Sequence, residues 1–137
     1  MTLVLDCSAT LAWIYADETT PAIVAVFDQV IHKGGFVPSL WRIEVANSLT
    51  VSLRRNRISA QERRDSLADL ADLAILADDE TGRHVWAETL ELSDRHSLTV
   101  YDATYLELAL RRELPLATLD RELRKAAVAE RVPLLGM

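Results

Sequence analysis

The sequence predicts an α/β protein, a three-layer sandwich with a central parallel sheet of four to five short strands flanked by helices. Three observations lead there. Short apolar runs ("LVL", "FV", "LATL", "LL") recur along the chain. Between them lie stretches of helical spacing, several with a start or stop signal. Strands separated by helices need crossover connections, and these produce a parallel sheet covered on both faces.

The first strand is Leu3–Leu5, ended by Asp6. Helical spacing resumes at once, so a short helix is expected over Ser8–Tyr15. Thr20 before Pro21 starts the next helix, because proline suits a first helical turn. Gly34 and Gly35 stop it after Lys33. Phe36–Val37 is the second strand, closed by Pro38, and Ser39 is placed to cap a helix from Leu40 to about Arg55. "SAQE" at Ser59–Glu62 has the spacing of a capping box. The helix it opens carries "LADLADLAIL" and runs to the acidic group Asp78, Asp79 and Glu80. A further helix covers about Gly82–His96. Leu98–Val100 leads into Asp102 and a helix from Ala103 to Arg112. Leu116–Leu119 is the third strand, ended by Asp120. A helix from Arg121 to about Glu130 follows, and "VPLLG" is the last strand. No linker divides the chain, so 1–137 reads as a single domain.

At 137 residues, half of them hydrophobic and 26% charged, the chain is globular in composition and large enough to bury a core. No apolar run approaches a membrane span. No basic segment precedes an apolar core at the N-terminus, so a cytoplasmic location is expected. The single cysteine, Cys7, excludes an internal disulfide and fits a reducing compartment. Its apolar neighbours favour a small buried residue over a reactive thiol. The net charge of -6 argues against a nucleic-acid partner. Several acids converging on divalent cations would reverse the local sign and leave such a partner open.

Placement singles out certain acids. In open parallel sheets ligands bind beyond the carboxyl ends of the strands. Asp6 and Asp120 each follow a strand directly and should meet at that edge, where they repel unless a cation or proton offsets them. Asp102 shares a helix face with Leu106 and Ala109, a face that reads as core. Geometry leaves it either a helix N-cap or a functional ligand. Glu44 lies roughly opposite the stripe Trp41, Val45 and Leu49, and periodicity alone makes it a solvated glutamate. Other site types are missing: there is no glycine-rich phosphate loop, no HExxH and no CxxC. His32, His84 and His96 are scattered. Trp13, Trp41 and Trp86 read as core or subunit contacts. Arg54, Arg55 and Arg57 end one helix, and Arg63 and Arg64 follow in the next; for arginines at a helix C-terminus, and for Arg111 and Arg112, ordinary dipole chemistry and a phosphate-tracking rim both fit.

The segments "LVLDCSA", "VPSLWRIEVANSL", "VYDATYLELA" and "LATLDREL" resemble, in order and spacing, the four motifs of PIN domains. More narrowly the chain resembles the VapC-type toxins of bacterial toxin–antitoxin pairs, over nearly its whole length. The resemblance implies a metal-dependent endoribonuclease with Asp6, Glu44, Asp102 and Asp120 as its catalytic acids. Asp6 and Asp102 are then direct ligands of Mg²⁺ or Mn²⁺, while Glu44 and Asp120 bind through water or orient the attacking water. Ser8 matches the small hydroxyl residue after the first acid, and Thr118 the threonine of the last motif. Cys7 departs from the more usual alanine or threonine, and by the resemblance it should point away from the site. The resemblance further implies an RNA substrate, products with 5′-phosphate and 3′-hydroxyl ends, and a cognate antitoxin protein. Apolar surface on the helices around Leu40–Arg55 and Leu67–Leu76 is expected to serve that antitoxin and a homodimer. Two other readings compete. A haloacid-dehalogenase-like phosphatase would keep Asp6 and Thr10 of "DCSAT" but need a second aspartate where Ser8 stands. A PIN-like binding module without activity is the non-enzymatic alternative.

Overall fold

A computed structural model describes residues 2–137. Its strands are β1 (Val4–Leu5), β2 (Gly35–Val37), β3 (Ile75–Ala77), β4 (Leu116–Ala117) and β5 (Leu134–Leu135). Its α-helices are α1 (Cys7–Ile14), α2 (Pro21–Lys33), α3 (Trp41–Arg54), α4 (Ala60–Ala71), α5 (Thr81–His84), α6 (Leu90–His96), α7 (Val100–Arg112) and α8 (Arg121–Ala129). A π-helical turn, Val85–Thr89, joins α5 to α6.

All five strands are parallel, in the order β3-β2-β1-β4-β5. The chain moves outward from β1 through β2 to β3, then returns to the other side of β1 for β4 and β5. The order therefore reverses between β1 and β4, and the crevice beyond their carboxyl ends is the place such sheets use for ligands. Leu3, Val4, Leu5, Leu116 and Ala117 are fully buried. This fits central strands covered on both faces, which read as continuous apolar runs. Ile23, Phe27 and Val30 of α2, Leu49 of α3, and Tyr105, Leu106 and Leu108 of α7 complete the core.

Helix starts follow sequence chemistry. Thr20 accepts from the Ile23 N–H ahead of Pro21. The Ser59–Glu62 capping box closes in both directions. Several boundaries differ from expectation: α7 already starts at Val100 and β4 stops at Ala117, and three others have a visible cause. Leu40, not Ser39, is the N-cap of α3, and no side chain caps the helix; the Ser39 N–H instead donates to the Thr81 hydroxyl. The helix carrying "LADLADLA" ends at Ala71, and Ile75–Ala77 form a strand. Pairing with Gly35, Phe36 and Val37 wins over helical propensity there. Between Gly82 and His96 the helix is interrupted by the π-turn.

Candidate active site

Each candidate acid stands at the start of a helix. Asp6 is the N-cap of α1 and Asp120 the N-cap of α8. Glu44 and Asp102 lie in the first turns of α3 and α7. The N-cap of α7 is Thr99, whose hydroxyl accepts from the Asp102 N–H, so Asp102 is not the cap. Four helix N-termini, each the positive end of a helix dipole, thus carry the acids.

Asp6 is the most constrained. It is 4% exposed. One oxygen, Oδ1, accepts from the Ser8 hydroxyl at 2.7 Å and the Ala9 N–H at 2.9 Å. The other, Oδ2, accepts from the Thr118 hydroxyl. Ser8 Oγ in turn accepts from the Leu119 N–H, and Thr118 Oγ1 from the Asp120 N–H, at 2.9 and 3.0 Å. Ser8 and Thr118 therefore stitch the end of β1 to the end of β4. Three bonds on about four lone-pair directions leave Oδ2 one direction open.

Electrostatics ties the four acids together through Asp102. Burial pushes the Asp6 carboxyl up to about 6; hydrogen bonds from Thr118, Ala9 and Ser8 oppose this, and the Asp102 charge adds to it. Burial raises Glu44 as well, with the Tyr105 hydroxyl lowering it and Asp102 raising it. Asp102 is itself raised by burial and by Asp120, against the Thr99 hydroxyl. No lysine, arginine or histidine among the described residues forms an ion pair with any of the four. The group is an oxygen-only, negatively charged set that lacks a counter-charge, and hard divalent cations suit such donors.

Comparison with known proteins identifies the family. The PIN domain family model matches residues 3–129. The chain belongs to the PIN domain family. It is 31% identical over 135 residues to Ribonuclease VapC3 of Pyrobaculum aerophilum, covering 98% of both chains. Among solved structures it resembles PAE2754 from Pyrobaculum aerophilum, with a TM-score of 0.64 at 23% identity over 92% of this chain and 84% of that one. FitAcB from Neisseria gonorrhoeae matches with a TM-score of 0.67 at 17% identity, over 97% and 96% of the two chains. At those identities the structural likeness speaks for the fold.

Within this PIN domain, two side chains sit elsewhere than the sequence suggests. Glu44 is half-buried on the flank of the Trp41–Val45–Leu49 stripe, on the same side as Ser48 and Ser52, rather than opposite the stripe in solvent. Cys7 faces α3, its Sγ 3.7 Å from Ser48 Oγ, and so lies in the seam beside Glu44 instead of pointing away. Burial pushes its thiol up to about 11, which keeps it protonated and inert at neutral pH.

Two further residues escaped the sequence reading. Tyr105, 1% exposed, donates its hydroxyl to Glu44. Its position three residues after Asp102 on one helix face was the available signal. Asp78 is 2% exposed and held by Arg111 and by the Thr81 hydroxyl. Asp78, Asp79 and Glu80 are the one acidic triplet among the described residues whose oxygens close to within 4.8 Å. The Arg111 guanidinium already neutralises Asp78, at 2.5 Å. A cation there would have to displace it, which sets this triplet apart from the four unpaired acids.

From Ser8 and Asp120 an open cleft of about 410 Å³ runs between α1 and α3 past Tyr15, Ser48 and Ser52 to Arg57. The Arg57 guanidinium carbon sits over the Tyr15 ring, 3.9 Å from its centroid, and the group is paired with Asp17 and Glu18.

Proposed function

We propose that this PIN domain is a divalent-metal-dependent endoribonuclease and the toxin of a type II toxin–antitoxin pair. The observation that carries the reading is the set of four unpaired acids on four helix N-termini around the β1/β4 crevice. The 31% likeness to a protein named Ribonuclease VapC3 supplies the substrate class.

Asp6 and Asp102 are the residues to hold Mg²⁺ or Mn²⁺. The open lone-pair direction on Asp6 Oδ2 and the mutual repulsion of the acids both fit a cation. Held there, such an ion would supply positive charge for the phosphoryl oxygens and would lower the pKa of water toward neutrality. The chain's own part is positional. Ser8, Thr118 and the Ala9 N–H fix both oxygens of Asp6. The Leu123 N–H, 2.8 Å from Asp120 Oδ1, fixes Asp120. Glu44 and Asp120 then flank the crevice and orient the attacking water. The cleft toward Arg57 is the path for the RNA strand, with Arg57 as its one lining cation.

The proposed setting is a cytoplasmic, single-domain protein of residues 1–137 that assembles as a homodimer and is restrained by an antitoxin. No helix of the described residues is long and apolar enough to cross a membrane. The groove between α3 and α4, lined by Trp41, Val45, Leu67, Leu70 and Ile75, is offered to the antitoxin. Growth arrest on expression, relieved by the partner gene, is the corresponding readout.

The deciding experiment is cleavage of labelled RNA, with Mg²⁺ and with EDTA, by the wild type and by Asp6→Asn. The expected result is Mg²⁺-dependent cleavage that Asp6→Asn abolishes while the protein stays folded. Undiminished cleavage by that variant sinks the site. Hydrolysis of p-nitrophenyl phosphate without RNA cleavage would instead favour a phosphatase.

A further inference from the structure

Among the described residues, Tyr105 is the sole side chain whose hydrogen bond ends on the Glu44 carboxylate. Asp6 by contrast has three donors, and Asp120 is held by the Leu123 N–H. Glu44 is also the longest of the four acids and, by its rotatable bonds, the hardest to hold in one place. Tyr105 has the opposite properties. Its ring is locked in the core of α7 between residues that are themselves buried, Thr104 and Leu106. Two rotatable bonds and close packing fix the position of its hydroxyl. A phenylalanine would fill the same core volume, so packing alone does not account for the oxygen. A buried tyrosine hydroxyl needs a partner, and here that partner is Glu44.

The helix geometry makes this a link between two acids. Asp102 and Tyr105 are three residues apart on α7 and share a face. One helix therefore presents its own carboxylate to the crevice and, nearly one turn on, reaches across to α3 to hold a second.

We propose that Tyr105 is a positioning residue that fixes the Glu44 carboxylate relative to Asp102 and so sets the geometry of the metal site. It acts through Glu44 and does not touch RNA. The proposal rests on Glu44 belonging to the metal-dependent site described above.

The test is a double-mutant cycle of Tyr105→Phe and Glu44→Gln, read by calorimetric titration with Mn²⁺ in the absence of RNA. Kinetics of RNA cleavage and thermal unfolding are measured on the same proteins. Residues that orient ligands typically cost roughly 10–100-fold in metal affinity or activity when removed. Tyr105→Phe is expected to weaken Mn²⁺ binding about tenfold and to lower kcat with KM for RNA unchanged. In the Glu44→Gln background the same change is expected to add nothing. Wild-type Mn²⁺ affinity and kcat in Tyr105→Phe would overturn the proposal. Additive losses in the double variant would do so too, as would affinity that falls only in step with thermal stability. If the wild type binds Mn²⁺ but leaves RNA intact, the ribonuclease reading fails while the cycle still reports on Tyr105. If the wild type binds no Mn²⁺, the metal site fails and this proposal with it.

Discussion

Asp6 accepts three hydrogen bonds and is still hard to ionise. Three donors ordinarily favour a carboxylate. Here burial outweighs them and, with the Asp102 charge, lifts the group from 3.8 to about 6. The sign of the consequence follows from linkage. Between those two values the folded protein binds more protons at Asp6 than the unfolded chain does. Stability of the metal-free protein therefore falls as pH rises through that window, by up to about 3 kcal/mol. Asp6→Asn should flatten this dependence and leave the metal-free protein as stable as the wild type, or more so, at pH 7. Denaturant unfolding with EDTA at pH 4.5 and pH 7 checks it. A wild type that is more stable at pH 7 than at pH 4.5, with an unchanged slope in Asp6→Asn, would refute the account. Sequence placement alone pointed to Asp6 and Asp120, because a strand end is visible as a strand end. Glu44 was not legible in this way: a flank position between a core stripe and solvent has no periodic signature, and only the fold shows that α1 and Tyr105 cover it.

At the scale of elements, the outcome turns on what local pattern can encode. Caps and turns at Thr20–Pro21, Ser59–Glu62 and Gly34 were readable because their chemistry lies within a few residues. The strand β3 was not. Its residues Ile75, Leu76 and Ala77 continue an apolar helical rhythm, and their strand conformation comes from pairing with β2, some forty residues earlier. Next to β3 stands the second buried polar system. Burial acts to raise Asp78, but the hydrogen bonds from Arg111 and Thr81 prevail and hold it below the ordinary carboxylate range. Arg111 also binds Glu107, at 2.7 Å. It thereby joins α7 to the end of the edge strand. Arg111→Met would leave two buried carboxylates without their cation. It should cost about 3–5 kcal/mol at pH 7. The loss should shrink as pH falls and Asp78 takes up a proton, since a lowered carboxyl stabilises only above its folded pKa. Chemical denaturation at pH 7 and pH 3 measures this; a loss under 1 kcal/mol at pH 7 would mean that the network is replaceable by water.

For the whole molecule, the surface carries large apolar side chains that the single chain does not cover. Trp86 is 90% exposed, Ile43 73% and Val128 67%. Trp86 was expected in a core or a subunit contact, and the isolated chain places it in neither core nor groove. Scattered single exposures are normal, but a tryptophan so fully exposed on a π-turn fits the proposed homodimer. Light scattering at micromolar concentration should therefore give twice the 15.3 kDa of one chain. A clean monomer would remove the dimer from the reading. The fold class itself was legible because alternating strands and helices permit few arrangements. Which strand became central, and hence which acids met, depended on long-range order that no local window contains.

The bond between Thr118 and Asp6 spans 112 residues. During synthesis, at roughly 5–20 residues per second, Asp6 is made about 6–22 s before its partner. Until β4 is in place the first acid has neither the hydroxyl that orients it nor Asp120 beside it. In the proposed ribonuclease, the centre exists only once Thr118 and Asp120 have been made and β4 has paired with β1, so the early nascent chain carries no assembled site.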